Sequence, residues 1–154
     1  MSLHDYRFRS VWVIGATDGS VVDAVTDPRT YPLWWPDIRA VSRVDEDTAE
    51  VTCRSLLPYR LVFRLRRAEH DERTGRFRVD MTGDLEGFCG CRVERIPYGT
   101  RLTIMQQVVV RKPLLRTLAP AARPLFTANH AAMMWRGQRG LRAFLAPAPT
   151  RPRG

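Results

Sequence analysis

His130 is the residue best placed to do chemistry. It falls near the middle of the apolar stripe of a long C-terminal segment. At about 100° per residue, Phe126, His130, Met133, Gly137, Gly140, Leu141 and Phe144 gather on one helix face, with Asn129 about 60° from its centre. A neutral imidazole facing an apolar interior can hydrogen-bond a ligand carbonyl or hydroxyl, or move a proton. It can equally be a core histidine whose ring is satisfied by backbone or water. Gln106 lies on the same strand face as Leu102, Ile104, Val108 and Val110, so its amide points inward. There it meets a ligand, Ser10 or a neighbouring strand. Tyr31, Trp34 and Trp35 form an aromatic cluster that either lines a cavity mouth or pins short helices to a sheet.

The cysteines offer less. Cys89 and Cys91 are two apart and point the same way on a strand, so a bridge between them would distort the backbone; Cys53 is remote. There is no CxxC and no second ligand pair, so neither metal nor cofactor is expected, and the three cysteines read as reduced, buried thiols. No phosphate-cradling glycine loop or nucleophile elbow is present.

Length and composition set the scale. The chain has 154 residues, 44% hydrophobic and 27% charged, which suits one globular domain. No apolar run is long enough to span a bilayer, and the N-terminus lacks a signal-peptide pattern, so a cytoplasmic chain is expected. The formal charge is +9, with Lys112 the single lysine. Arg60, Arg64, Arg66, Arg76 and Arg78 define a basic strand face. That face raises an RNA, ribosome or anionic-surface reading, but it lacks interleaved aromatics, and a GC-rich coding bias yields the same arginine skew. Nucleic acid is not the expected partner.

The elements that must position these residues follow from periodicity. Tyr6 to Ile14 alternates as a strand, with Arg7 and Arg9 outward. Asp18-Gly19-Ser20 starts a short helix carrying Val21, Val22 and Val25, and Pro28 permits a second. Six strands follow: Ile38 to Val44, Ala49 to Leu57, Arg60 to Arg67, Arg76 to Thr82, Leu85 to Arg95 and Thr100 to Arg111. A helical turn or two over Leu114 to Ala119 precedes a long helix with Pro124 at its first position, ending near Leu145. One domain is expected over 1–145, with a disordered Pro/Arg-rich tail at 146–154.

Seven strands at about 4.8 Å spacing are roughly 34 Å wide, whereas a helix is about 10–12 Å across. One helix covers such a sheet only if the sheet curls around it, and the interior need not then be filled. Gly137 and Gly140 would bring helix and sheet together at one end, leaving the roomier end toward Phe126 and His130.

Val25-Thr26-Asp27-Pro28 with Tyr31-Pro32-Leu33-Trp34-Trp35-Pro36 resembles the first signature of polyketide cyclase/dehydrase-like proteins of the START/Bet v 1-like (SRPBCC) superfamily. Leu118-Ala119-Pro120, Ala122-Arg123-Pro124-Leu125-Phe126 and Asn129-His130 resemble the terminal-helix signature of an actinobacterial branch. The likeness runs from about Tyr6 to Leu145. It implies an α+β helix-grip fold of order β-α-α-β6-α, with an internal apolar cavity.

Three functions compete. The first is binding or carriage of a hydrophobic small molecule, such as a lipid, quinone, isoprenoid or polyketide-like aromatic, by a monomer or homodimer. The residues expected to contact it are Tyr31, Trp34, Phe63, Phe77, Met81, Gln106, Phe126, Asn129, His130 and Met133. The second is a metal-free cyclase/aromatase or dehydratase using His130. The third uses the arginine face. Denatured, unreduced protein is expected to react with three equivalents of a thiol reagent; stoichiometric zinc by elemental analysis would contradict this reading.

Overall fold

The computed structural model describes residues 4–55, 59–117 and 121–147. Strand β1 (Asp5–Ile14) leads into helix α1 (Asp18–Thr26), a 3₁₀ turn (Pro28–Thr30) and the short helix α2 (Tyr31–Trp34). Six strands follow: β2 (Ile38–Arg43), β3 (Thr48–Arg54), β4 (Arg60–Asp71), β5 (Arg76–Gly83), β6 (Leu85–Ile96) and β7 (Gly99–Val110). The short helix α3 (Pro113–Thr117) and the long helix α4 (Ala122–Phe144) close the chain. All seven strands form one antiparallel sheet of order β1-β7-β6-β5-β4-β3-β2. This is the α+β helix-grip architecture that alternation and element order predict.

Local chemistry explains the punctuation. Thr17 caps α1 by accepting from the Ser20 N–H, which satisfies one of the helix's orphan donors. Asp27 caps the 3₁₀ turn through Arg29 N–H. The β6–β7 turn closes on Gly99 at φ +149°, where a Cβ would lie 2.2 Å from the Ile14 carbonyl oxygen, so only glycine fits. Register shifts at Ile38/Ala40 and Arg67/Glu69 bend two strands and help the sheet curl.

Helix α4 departs from the expectation in three ways. It begins at Ala122, two residues before Pro124, which still lies in the first turn where its missing N–H costs no helical bond. Its fully inward residues are Phe126, His130, Met134, Gly137 and Leu141, while Met133 is half-buried and Phe144 is 44% exposed. The helix ends at Phe144, within a residue of the expected end near Leu145. Gly137 and Gly140 do permit close approach, to α2 and the residue after it and, at Gly137, also to the Trp12 ring of β1, 2.9 Å from where a Cβ would sit. A Cβ on Gly137 would sit 2.6 Å from Trp35 Cε2, and one on Gly140 would sit 1.6 Å from the Trp34 carbonyl oxygen. Of the expected strand end at Leu57, helix end at Ala119 and tail, the parts at 56–58, 118–120 and 148–154 lie outside the described residues.

Polar contacts fasten α4 at several points. Arg136 donates Nε and Nη2 to Asp37 at 2.8 and 2.6 Å. The Asp37 carboxylate, only 2% exposed, also accepts from the Ser55 hydroxyl, and its carbonyl accepts from Arg54 N–H. Burial pushes the Asp37 carboxyl upward, and the Arg136 and Ser55 hydrogen bonds more than offset this, holding it below the usual carboxylate range. Arg123 donates to the Asp5 carbonyl, Arg142 to the Val13 carbonyl, and Val13 N–H to Gln138 Oε1.

The outer arginines are partly neutralised in place. Arg64 pairs with Glu50 and Arg78 with Asp80, and Arg78 also lies over the Phe88 ring at 4.2 Å. Gly140→Ala should cost roughly 3 kcal/mol or more in urea unfolding, because helix and backbone cannot both keep their places. Gly19→Ala, with nothing within 4 Å of its new Cβ, should change stability by no more than about 0.5 kcal/mol. Equal effects of the two substitutions would refute the close seating of α4 on Trp34.

Candidate functional site

Inward residues of β3 to β7 form the concave wall of a cavity of about 690 Å³. Val51 and Cys53 come from β3, Phe63 and Leu65 from β4, and Phe77, Val79 and Met81 from β5. Cys89 and Cys91 come from β6, and Leu102, Ile104 and Gln106 from β7. Met133 and Met134 of α4, with Tyr31, Trp34 and Trp35, roof it. The period of two places every second side chain on this wall. The three cysteines are free thiols, and burial is the main cause that raises Cys89 to about 11 and Cys53 and Cys91 to about 12. They stay protonated at neutral pH, so the cavity walls present sulfur but no thiolate nucleophile.

The rim has a different character. The β2–β3 turn contributes Asp45, Glu46 and Asp47, the α1 region Asp23 and Asp27, and the far part of β4 Glu69. Arg29, Arg43, Arg67 and Arg78 are the arginines that border it, with Arg29 already bonded to Asp27 and Arg78 to Asp80. Carboxylates thus outnumber arginines at the opening of a chain whose formal charge is +9.

The aromatic cluster is held tightly. Tyr31 donates its hydroxyl to the Val25 carbonyl, and burial raises its pKa. Trp35 donates Nε1 to the Met133 carbonyl at 3.0 Å. The Trp12 ring meets Trp34 and Trp35 edge-on at 6.3 and 5.5 Å.

His130 stands elsewhere than expected. It borders a second, much smaller space of about 50 Å³ with Phe8, Tyr59, Leu61, Phe126 and Asn129. The roomier end of the interior lies under Met133, Trp34 and Trp35 instead. Tyr6, Phe8, Leu115 and Phe126 fill the end that glycine spacing had suggested would be open. Of the candidate contacts, Tyr31, Trp34, Phe63, Phe77, Met81, Gln106 and Met133 border the large cavity. Phe126, Asn129 and His130 border only the small one. Cys53, Phe63, Gln106 and Met133 belong to both.

His130 Nε2–H donates to Gln106 Oε1 at 2.9 Å, and the imidazole stacks on Phe8 at 3.6 Å between centroids. Gln106 therefore meets His130, not Ser10. Burial lowers the His130 pKa to about 4, so the ring is neutral at physiological pH. Tyr59 OH and Asn129 Oδ1 are buried with no hydrogen-bond partner among the described residues, and each unmet group costs about 1–3 kcal/mol. Tyr59 carried no periodic signal, since it follows Pro58 at the start of a strand. Val51 and Cys53 were readable from β3 alternation but were not singled out.

No protein-family profile and no curated protein sequence matches the chain. The fold defined by this cavity and its covering helix is that of the START/Bet v 1-like helix-grip proteins, as the sequence resemblance implied. Similar solved structures include the Zhui aromatase/cyclase from a Streptomyces species, at 13% identity and TM-score 0.77 over 92% of this chain and 94% of that one. A START superfamily protein from Mycobacterium smegmatis has 14% identity and TM-score 0.70, covering 92% and 97% of the two chains. Ara h 8.0201 has 12% identity and TM-score 0.64, again over 92% and 97%. Among the described residues, no helix is long and apolar enough to cross a membrane.

The buried imidazole has a measurable signature. An unfolded histidine takes up its proton near pH 6.5, whereas folded His130 stays neutral down to about 4. Its contribution is fully present above pH 6.5 and is lost as pH falls toward 4, approaching about 3 kcal/mol in total. Urea unfolding of the native chain and of His130→Gln at pH 7.5, 5.5 and 4.5 should show the native advantage shrinking with acid. A pH-independent difference would mean that His130 titrates normally.

Proposed function

We propose that the chain binds a neutral, largely apolar small molecule in the large cavity. The observation that carries this reading is the 690 Å³ space walled by aliphatic, aromatic and sulfur-bearing side chains. Its size falls within the range of about 300–1,000 Å³ typical of ligand pockets. Methionine and aromatic walls favour aromatic or polyene ligands through sulfur–ring and ring–ring contacts. Lipids, quinones, isoprenoids and polyketide-like aromatics all share that chemistry. The carboxylate-rich rim disfavours anionic ligands, because a carboxylate or phosphate entering there would meet like charge.

The second reading is a cyclase/aromatase or dehydratase. The Zhui protein, similar in fold, is an aromatase/cyclase, and His130 with Gln106 would be the pair to work on a carbonyl. Three observations weigh against this reading. His130 borders the small space rather than the large one, its Nε2–H is already donated to Gln106, and the Tyr31 hydroxyl is committed to Val25. Catalysed cyclisation of a poly-β-ketone thioester above its spontaneous rate would reverse the ranking.

The binding reading is tested with N-phenyl-1-naphthylamine, a neutral fluorescent apolar probe. Val79→Trp places an indole inside the wall of the cavity. Affinity should drop at least about tenfold, near 1.4 kcal/mol, while circular dichroism stays native. Undiminished binding by a folded variant would remove the large cavity as the site.

A further inference from the structure

We infer that the small space beside the cavity receives a hydroxyl group carried on a slender arm of the ligand. This deepens the binding reading and rests on it. The two spaces are neighbours, divided by Cys53, Phe63, Gln106 and Met133, whose side chains border both. Met133 is the movable part of that divider. Its unbranched thioether has three rotatable bonds and touches Cys53 Sγ at 3.6 Å, so it can swing aside without disturbing the sheet.

The polar groups at the far side specify what fits. Asn129 Oδ1 accepts only. His130 gives its Nε2 proton to Gln106 Oε1, which leaves Nδ1 as an acceptor. Tyr59 OH donates or accepts, and burial raises its pKa to about 12, so it keeps its proton. Tyr59 OH and Asn129 Oδ1 lack partners among the described residues. An alcohol meets both at once, accepting from Tyr59 and donating to Asn129. A ketone, ester or ether accepts from Tyr59 but leaves Asn129 Oδ1 unmet. A carboxylate would face two acceptors with no cation bordering the space among the described residues, at a large desolvation cost. The volume of about 50 Å³ admits a terminal hydroxymethyl group and excludes a ring, so the bulk of the ligand stays in the larger cavity.

The test is displacement of N-phenyl-1-naphthylamine by 1-decanol and by nonyl methyl ether, which has the same number of heavy atoms but no donor. The chain and its Tyr59→Phe, Asn129→Leu and doubly substituted variants are compared. The ratio of ether to alcohol inhibition constants should fall about tenfold in Asn129→Leu, with ether affinity unchanged there, and should fall equally in the double variant, in which the loss of the Tyr59 hydroxyl weakens both compounds. Tyr59→Phe should melt at or above the native temperature, since it deletes a hydroxyl with no hydrogen-bond partner among the described residues. If the probe binds and both compounds displace it at ratios identical in all variants, the hydroxyl site is wrong and the cavity reading stands. A drop of several degrees in Tyr59→Phe would also overturn the inference, by showing that the hydroxyl has a structural partner. Failure of the probe itself to bind the native chain would instead strike the cavity reading, and the hydroxyl site with it.

Discussion

The interior depends on how helix α4 is propped. Between Met133 and Gly140, fewer than three helical turns, the helix accepts a hydrogen bond from Trp35, clamps Asp37 through Arg136 and rests on the Trp34 carbonyl. Trp12 of β1 meets the same two indoles from the sheet side. The arrangement is therefore helix, then tryptophan, then sheet. The thickness of an aromatic layer holds α4 away from the middle strands, and the side chains that β3 to β6 send inward line the gap without closing it. The cavity follows from the spacer, and the two glycines follow from the need to bring the spacer close to the helix.

Much of this was legible from residue spacing. Alternation in Leu61-Phe63-Leu65 and in Phe77-Val79-Met81 identified both the strands and their inner faces, because a half-buried sheet leaves a period-two record. The helix stripe was likewise readable, and so was the inward orientation of Gln106. The location of the open volume was not. Glycine spacing announces a close approach but carries no information about the approaching group, which proved to be Trp34 and Trp35 together with the Trp12 ring of β1. The Asp37–Arg136 pair was silent for a similar reason. Asp37 follows a proline in a short connection, and its meaning appears only when a helix about a hundred residues later is laid beside it. Met133 and Met134 are adjacent in sequence and differ by about 100° on the helix, enough to make one a cavity wall and the other core.

Charge is sorted by depth. Among the described residues the buried ionised group is Asp37, paired with Arg136, while the interior thiols are kept protonated and the His130 imidazole unprotonated by burial. A ligand passing inward leaves an acidic opening for a region where polarity is supplied by neutral dipoles alone. Selectivity in such a site comes from matching donors to acceptors, since no fixed charge is present to attract a wrong partner indiscriminately.

The contacts between α4 and β1 have a consequence for colloidal behaviour. An open seven-stranded sheet has two edges, and each is a template on which another chain can add a strand. On β1 the edge-facing backbone groups at Asp5 and Val13 are bonded by Arg123, Gln138 and Arg142 of the helix. The other edge, β2, is six residues long, is interrupted by a register shift at Ile38/Ala40 and carries Arg39 and Arg43. One edge is thus engaged by side chains at its two ends and the other is short, bent and cationic. The same helix that roofs the cavity also engages the ends of β1, so a change that loosens it would uncover those backbone groups for strand addition.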